Sequence, residues 1–548
     1  MKKFLFILLI LCKCSVIFSQ HNYDDLSAIK MFLQQGENLE LLWNDSFASK
    51  PTNEDAWEYE DWINYIDGLT WNDGKLVSIN WEKKGVTGLL DIRGCSSLSY
   101  LNCSDNKIGI LDASDCVALT HLLCSNNLLT DIDLTNCIGL EVLHCSFNQI
   151  NELTIDDCLR LSKLECNNNQ LNDLKIDGLF LNHLNCSNNS LSELNFNNCT
   201  SLSYLNCSFN EFSSLQIHML KELNHLNFQN NSLKTFTGNG LSNLTYLNCQ
   251  NNLLIDLDIN TLSILSNLNF SNNYLNEIDL SNNNNIEYIN GSNNLLKSIS
   301  VSHLKKLSYL DCKKNKLTHL TVSGLNQLKN LYCSQNQLNK LDVSGCSALS
   351  HLNCSFNQLL SIDLSDCLLL TNIECFQNDL TSLHVLNNTN LMNLSCSDNF
   401  LTKLDVSNLV NLSYLNCQKN LLEELNIANC HALNYLNCSN NQLSFSNLPQ
   451  TEGTYRNNYF YSPQIIENTE RIKAGSVIDL NSFLFNNSSH FYFIDNEGVQ
   501  LKDIKISKDG KFVLPSSYEG LFTVLITNKY FPQLTTKSPM AYQFIVSK

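Results

Sequence analysis

Beyond its first 18 residues the chain lacks any run of about 20 apolar residues, the length that a membrane-spanning helix needs. The N-terminus reads MKKFLFILLILCKCSVIFSQ, in which Lys2 and Lys3 precede an apolar run that reaches Phe18 and that Lys13 interrupts. A short basic start followed by a short apolar run is typical of a signal peptide. We therefore predict a signal peptide over residues 1–19 and a secreted or cell-surface mature protein without a membrane span.

The chain is also poor in positive charge. It has 35 Lys and Arg against 53 Asp and Glu, and the predicted signal peptide accounts for three of the lysines. The mature chain would therefore have 32 basic and 53 acidic residues, a net charge of −21. Nucleic acids and anionic membranes bind basic patches, so this balance argues against both as partners.

Motifs of the common catalytic and metal sites are missing as well. The repeat described below contains no CxxC pair, a spacing typical of zinc sites. No serine lies in a nucleophile-elbow motif, and no cysteine follows Cys438. The acidic run NEDAWEYED at 53–61 lacks the spacing of a calcium-binding loop. We therefore predict no enzyme activity, no bound metal and no cofactor.

What the chain does contain is a repeat. Seventeen units align on the pattern L-x-x-L-x-C-x-x-N-x-L, and position 9 is Asn in all of them. All units have 21 residues except the unit at 161, which has 20, and the truncated last one. The units begin at residues 98, 119, 140, 161, 181, 202, 223, 244, 265, 286, 307, 328, 349, 370, 391, 412 and 433. This is the leucine-rich repeat signature, near the short end of its length range.

The repeat predicts a fold. Positions 1 to 6 alternate as a short strand, and a single coil cannot bury its apolar side alone. Stacked coils bury a continuous core and form a parallel sheet on one face, while the Asn at position 9 can bond buried backbone groups. We predict an α/β-type leucine-rich repeat solenoid over residues 98–443, with an N-terminal cap over 20–97 and an all-β, Ig-like domain over 444–548.

The segments on either side of the repeat have different patterns. All five tryptophans lie before residue 82, beside a segment with helical spacing of apolar residues (DDLSAIKMFLQQGENLELLW) and one with strand alternation (KLVSINWE). After residue 443 come several short strand-like segments, with NEG and KDG as hairpin turns. These features indicate a cap at one end and a β-sandwich at the other.

Of the 24 cysteines, 22 follow the repeat, and Cys12 and Cys14 lie in the predicted signal peptide. Position 6 is Cys in fourteen units, and Phe228, Phe270 and Gly291 are the exceptions. Eight more lie at, or in phase with, position 19. Because Phe substitutes for Cys, position 6 reads as an apolar core slot, where Cys acts as a small hydrophobe. We predict buried thiols, with a few disulfides as the alternative.

Positions 3 and 5 of each unit point away from the core. Position 3 is Tyr in seven units and His in four, and position 5 is Asn in ten. Tyr beside Asn combines rigid contact area with adaptable hydrogen bonding, as in antibody paratopes. The alternative is that these residues merely suit an exposed sheet and repeat because of recent duplication. The predicted ligand-binding residues are Tyr204, Tyr246, Tyr288, Asn290, Tyr309, Asp311 and Tyr332.

The 21-residue unit with its Cys column and its LDVS segments (LTKLDVSNLVN, LNKLDVSGCSA) resembles the internalin J type of bacterial surface leucine-rich repeat proteins. The resemblance implies an exported, adhesin-like protein with a cap, a repeat array and an Ig-like domain behind it. The expected function is non-enzymatic binding of a protein ligand through the exposed sheet, as an adhesin or receptor. A glycan-binding module and a passive surface scaffold are the alternatives.

Overall fold

The computed structural model describes residues 23–44, 63, 65–449, 458–486 and 488–547. The predicted signal peptide, the acidic run at 53–61 and the tryptophans Trp57 and Trp62 lie outside these residues. The chain divides into two compact units, Met1–Leu275 and Asn276–Lys548.

The first unit opens with the predicted cap elements. Two helices, Tyr23–Leu33 and Asn38–Leu42, precede an antiparallel pair of strands, Leu69–Asn72 and Lys75–Asn80. The first helix buries Ile29, Phe32 and Leu33 because they recur at helical spacing on one face. The helical and strand patterns read from the sequence are thus confirmed.

Residues 76–97 form a coil that the repeat pattern did not include. The strand Lys75–Asn80 also pairs in parallel with the first strand of the array, so that Ile79 lies opposite Leu101. Trp81 takes the place of the position-6 cysteine, is fully buried, and stacks on Phe32 with ring centroids 5.2 Å apart. The large indole closes the end of the repeat core against the cap helix.

Each repeat coil contributes one three-residue strand, at positions 3 to 5, to a parallel front sheet. Neighbouring strands pair position for position, as Tyr204 does with His225. In the first unit the array's front strands are Tyr100–Asn102, His121–Leu123, Val142–His144, Lys163–Glu165, His183–Asn185, Tyr204–Asn206, His225–Asn227, Tyr246–Asn248 and Asn267–Asn269. In the second unit they are Tyr288–Asn290, Tyr309–Asp311, Asn330–Tyr332, His351–Asn353, Asn372–Glu374, Asn393–Ser395, Tyr414–Asn416 and Tyr435–Asn437.

The opposite side of the coils is less regular. Only some coils form strands there, and the back strands again pair in parallel. They are Thr87–Asp91, Lys107–Asp112, Asp131–Asp133, Thr235–Thr237 and Asp256–Asp258 in the first unit, and Lys403–Asp405 and Glu424–Asn426 in the second.

Two consecutive positions turn each coil away from the front sheet. Position 8 has a left-handed backbone in all seventeen coils, with φ between 52° and 58°. The Asn that follows it turns inward, as predicted. Asn127 donates from Nδ2 to the carbonyl oxygens of Cys103 and Cys124 at 2.9 and 3.1 Å, and its Oδ1 accepts from the Ile108 amide at 3.0 Å. One carboxamide thus satisfies three backbone groups on neighbouring coils.

All 22 cysteines among the described residues are buried as free thiols, so their predicted burial is confirmed. The two columns differ in their polar contacts. Several position-19 thiols donate to a backbone carbonyl of the preceding coil, as Cys116 does to Ile92 at 3.1 Å and Cys346 to Val322 at 3.2 Å. Asn388 occupies the same position and donates to Cys367 O at 2.9 Å. Position 19 therefore accommodates a donor. At position 6 three of the fourteen thiols donate to a carbonyl of the next coil, at 3.4 to 3.7 Å, as Cys124 does to His144 O.

The C-terminal region is all β, as predicted. A five-stranded sheet has the order Gln464–Lys473, Met540–Ser547, Gly520–Asn528, Ser489–Ile494 and Gln500–Leu501, and its first pair is parallel. Val477–Asp479 and Lys511–Val513 form a second, two-stranded sheet, and a 3-10 turn covers Asn481–Phe483.

The last coil continues into this region without a break in its hydrogen bonds. Tyr459–Phe460 adds one more front strand beside Tyr435–Asn437. The Gln464 side chain accepts from the Leu443 amide at 2.9 Å and donates to Cys438 O at 2.8 Å, which is the role that Asn plays in the coils. No helix among the described residues is long and apolar enough to span a bilayer.

Candidate binding face

In each unit, the outward positions 3 and 5 of the front strands form two parallel columns of side chains. The pairing register places position 3 of one coil beside position 3 of the next, and position 5 beside position 5. The predicted residues Tyr204 and Tyr246 lie in the first unit, and the other five lie in the second.

Tyr204 and Tyr246 belong to a stack of four rings in the position-3 column. His183, Tyr204, His225 and Tyr246 follow one another with centroid distances of 4.2, 4.5 and 4.1 Å and interplanar angles of 4°, 11° and 7°. Each ring covers the face of its neighbour, and burial in the stack raises the pKa of the Tyr204 hydroxyl and lowers the pKa of His225. The stack therefore turns ring edges, hydroxyls and imidazole nitrogens outward.

A second stack lies in the other unit. Tyr288 and Tyr309 are parallel at 4.5 Å, and Tyr332 meets Tyr309 at 5.6 Å and 51°. Tyr332 stands in the position-5 column beside Asp311, so it approaches Tyr309 diagonally. The Tyr332 hydroxyl accepts from Asn330 Nδ2 at 3.4 Å. Burial raises the pKa of the Tyr309 hydroxyl, and the nearby Asp311 carboxylate raises it further.

The two polar residues predicted in this region are engaged within the chain. Asp311 is only 3% exposed, and its carboxylate accepts from the Lys313 amide at 3.1 Å and pairs with the Lys313 ammonium at 3.0 Å. Asn290 accepts through Oδ1 from the amide and hydroxyl of Ser292 at 3.2 and 2.8 Å. As ligand contacts both remain predictions, but their geometry already serves to orient the front strand and the turn after it.

A group of charged and titratable residues on the front face of the first unit was not recognised in the sequence as a site. Glu165 accepts a 2.6 Å hydrogen bond from His183 Nε2 and lies 3.9 Å from Lys163 Nζ. Burial opposes ionisation of Glu165, but His183, Asn185 and Lys163 together outweigh burial, and the pKa of Glu165 is lowered. His144 lies beside Glu165 in the position-5 column, and its Nε2 is buried without a hydrogen-bond partner among the described residues. The signal in the sequence was that Lys163 and Glu165 interrupt the Tyr, His and Asn columns.

Three phenylalanines at the edge of the front face were also missed. Phe147, Phe209 and Phe356 occupy the left-handed position 8, and each exposes between 41% and 53% of its surface. Other coils have Asn, Asp, Gln or Lys there. Asn and Asp adopt left-handed backbone more readily than Phe, and all four side chains are polar. Their presence is favoured neither by backbone conformation nor by burial.

Known proteins were compared with the chain at the levels of sequence and structure. No protein-family model matches the chain, and no curated protein matches it by sequence. Among solved structures, the functional domain of InlJ from Listeria monocytogenes, which includes a cysteine ladder, matches 79% of this chain and 92% of its own length, with 26% identity and a TM-score of 0.63.

Two further structures share the fold at lower identity. YopM from Yersinia enterocolitica covers 67% of this chain and 83% of its own length, with 22% identity and a TM-score of 0.50. The plant peptide hormone receptor RGFR1, in complex with RGF2, covers 69% and 76% with 20% identity and a TM-score of 0.54. The chain thus has the leucine-rich repeat fold and is similar, in its 21-residue coils and buried cysteine columns, to the cysteine-ladder domain of InlJ.

Proposed function

We propose that the chain is an exported, non-enzymatic binding protein, adhesin- or receptor-like, which recognises a protein ligand through the front face of its repeat sheet. The observation that carries the proposal is the stacking of rings beside amide side chains on the front face, from His183 to Tyr246 in the first unit and at Tyr288 and Tyr309 in the second. Export is inferred from the signal-peptide pattern of residues 1–19.

The stacking geometry favours a protein over a glycan as ligand. Sugar rings pack on exposed aromatic faces, but the faces of Tyr204, His225 and Tyr309 are covered by their neighbours. What remains is a row of hydroxyls and ring edges beside carboxamides, which suits hydrogen bonding and edge contacts with a polypeptide. The similarity to the receptor RGFR1, which is known in complex with RGF2, supports the same choice.

The test compares two stacked tyrosine pairs in the second unit. Tyr288→Ala with Tyr309→Ala removes the predicted contact pair, and Tyr414→Ala with Tyr435→Ala removes a pair with nearly the same geometry, 4.4 Å and 9°, outside the predicted site. Ligands would first be captured from cell-surface extracts with the mature protein. Central aromatic contacts cost about 2 kcal/mol or more on truncation, or about thirtyfold in affinity.

The matched pair separates binding from folding, because both double variants lose similar packing. We expect similar melting temperatures for the two variants and a selective loss of ligand affinity for Tyr288→Ala with Tyr309→Ala. Undiminished affinity in both variants would contradict the proposal. Binding to a glycan array without any protein capture would favour the glycan alternative, and inertness in both assays would favour the passive scaffold.

A further inference from the structure

Basic side chains gather on one part of the front face, in a chain whose net charge is negative. His121, His144, Lys163, Glu165, His183 and His225 lie at positions 3 and 5 of five of the six coils between residues 119 and 243. We call this group the histidine face. It holds four of the twelve histidines of the chain and a single carboxylate.

The contacts on the histidine face make its charge depend on its histidines. Glu165 is bonded to His183 and lies near Lys163, so the lysine and the carboxylate offset each other. The charged groups that act on His144 are Lys163, Glu165, His183 and His121, and the one that acts on His225 is His183. With neutral imidazoles the six side chains sum to a formal charge of zero, and with all four imidazoles protonated they sum to plus four.

We propose that the histidine face docks an acidic polypeptide segment of a partner protein, and that it does so when its histidines are protonated. This inference rests on the proposed function, because it assigns a partner chemistry to one part of the binding face. Charge complementarity is the reason for the choice: at neutral pH the acidic chain repels such a segment, whereas mild acid gives this face a local positive charge. A polypeptide is favoured over a polysaccharide because both ring faces of Tyr204 and of His225 are covered by neighbouring rings.

The pH dependence has a definite sign. Bound carboxylates stabilise imidazolium, so the complex binds more protons than the separate partners and affinity rises as the pH falls. Burial lowers the pKa of His144 and of His225. The rise in affinity should therefore occur below pH 6.5, the ordinary pKa of histidine being about 6.5. Glutamate side chains of the partner become protonated near pH 4.3, so affinity should pass through a maximum between these values.

The experiment measures binding of a fluorescein-labelled deca-glutamate peptide to the mature chain by fluorescence anisotropy. At low ionic strength we expect affinity about tenfold or more higher near pH 5.5 than near pH 7.5. Added salt should weaken the complex. The triple variant His144→Gln, His183→Gln and His225→Gln should lose most of this gain. The matched control is His218→Gln, His319→Gln and His431→Gln, which replaces three exposed histidines away from the front strands and should keep the gain.

A variant with the opposite effect guards against a folding artefact. Glu165→Gln removes the only carboxylate of the histidine face, so deca-glutamate should bind it more tightly than wild type near pH 7.5. Equal affinity of the wild type at both pH values, or an equal loss in the control triple, would overturn the inference. Binding of heparin without binding of deca-glutamate would overturn the choice of a polypeptide. The proposed function fails separately, when the tyrosine pairs leave capture of a protein ligand unchanged.

Discussion

At the scale of single residues, the two cysteine columns have different chemistry although both are buried. Burial raises the pKa of Cys354, at position 6, to about 12. The thiol of Cys346, at position 19, donates to Val322 O at 3.2 Å, and an asparagine takes the same position in another coil. The position-6 slot is mainly apolar and also takes Phe228 and Phe270, whereas the position-19 slot of Cys346 offers a carbonyl acceptor to a donor.

This contrast predicts a reversal between two substitutions. Cys354→Ser should destabilise the protein by about 1–3 kcal/mol because it buries a more polar hydroxyl, and Cys354→Val should cost less. At Cys346 the order should invert, since Ser can keep the bond to Val322 and Val cannot. Urea unfolding of the four variants measures both differences. The same order at both positions would mean that the columns are equivalent.

A second residue-scale prediction concerns the exposed phenylalanines. Phe209 has φ of 52° and is 49% exposed, and eight coils have Asn at that position. Because left-handed backbone costs a typical L-residue about 1–2 kcal/mol and Asn much less, Phe209→Asn should stabilise the protein by about 1 kcal/mol. The reverse change at an equivalent position, Asn272→Phe, should destabilise it. A loss of stability for Phe209→Asn in thermal melts would show that the ring packs usefully.

At the scale of the coil, the asparagine of position 9 connects neighbours. Asn357 donates to Cys333 O and Cys354 O, both at 3.0 Å, and accepts from the Leu338 amide at 3.0 Å. Asn357→Ala leaves the buried Leu338 amide without an acceptor, while Cys333 O and Cys354 O each keep one donor, from Asn336 and Asn378. We expect a loss of about 1–3 kcal/mol in chemical unfolding, against almost none for the exposed neighbour Gln358→Ala. Similar effects of the two changes would contradict a bridging role.

The sequence predicted the elements wherever a coil obeys the pattern. The seventeen coils, the front strands and the cap helices follow from periodic apolar residues, which need no knowledge of distant contacts. The coil at 76–97 was missed because Trp81 and Lys84 stand where Cys and Asn identify the others. Gln464 was missed because it makes the hydrogen bonds of a position-9 asparagine but does not lie 21 residues after the preceding one, Asn441. In both cases a residue type that is absent from the repeat pattern fills the same place in the coil.

The candidate face was predictable in part for the same reason. Alternation within a strand placed Tyr204 and Tyr309 on the outward side, and the repeat placed them in columns. The stacking of adjacent rings and the ion pair between Lys313 and Asp311 depend on side-chain rotamers. The periodicity of the sequence does not determine these rotamers. The ligand-binding residues therefore remain a prediction that the binding experiments must test.

At the scale of the whole molecule, the sum of the thiols sets a limit on alkaline stability. Burial raises the pKa of the cysteines throughout both columns, with Cys199 at about 11 and Cys354 at about 12. A raised folded-state pKa adds stability that is complete below the unfolded value of about 8.5 and is lost as the pH rises toward the folded value. In that window the contribution of each thiol to the free energy of unfolding falls by about 1.4 kcal/mol per pH unit.

With 22 such thiols, the summed loss exceeds the free energy of unfolding of a typical domain, 5–15 kcal/mol, within about one pH unit. We expect unfolding by circular dichroism between about pH 9 and pH 10. Alkylation under denaturing, non-reducing conditions supplies the control, because mass spectrometry should then show most of the 22 thiols modified, and few in the native protein. A protein that stays folded at pH 11, or that shows about eleven disulfides by mass, would contradict the thiol core.

The uniform bonding between coils has a consequence for the gene. Within the second unit, the Cys312 amide donates to Tyr332 O and the Cys333 amide to Asn353 O, each at 2.8 Å, so successive coils offer one another the same acceptor. Removing the codons for residues 328–348 would delete one whole coil. The coils on either side of it could then pair through the same amide-to-carbonyl hydrogen bond that each already makes with its neighbour. Unequal crossing-over between such repeats keeps the reading frame and leaves both ends of the coding sequence intact. Alleles of this gene should therefore differ in length by whole steps of 63 nucleotides, because each coil has 21 residues.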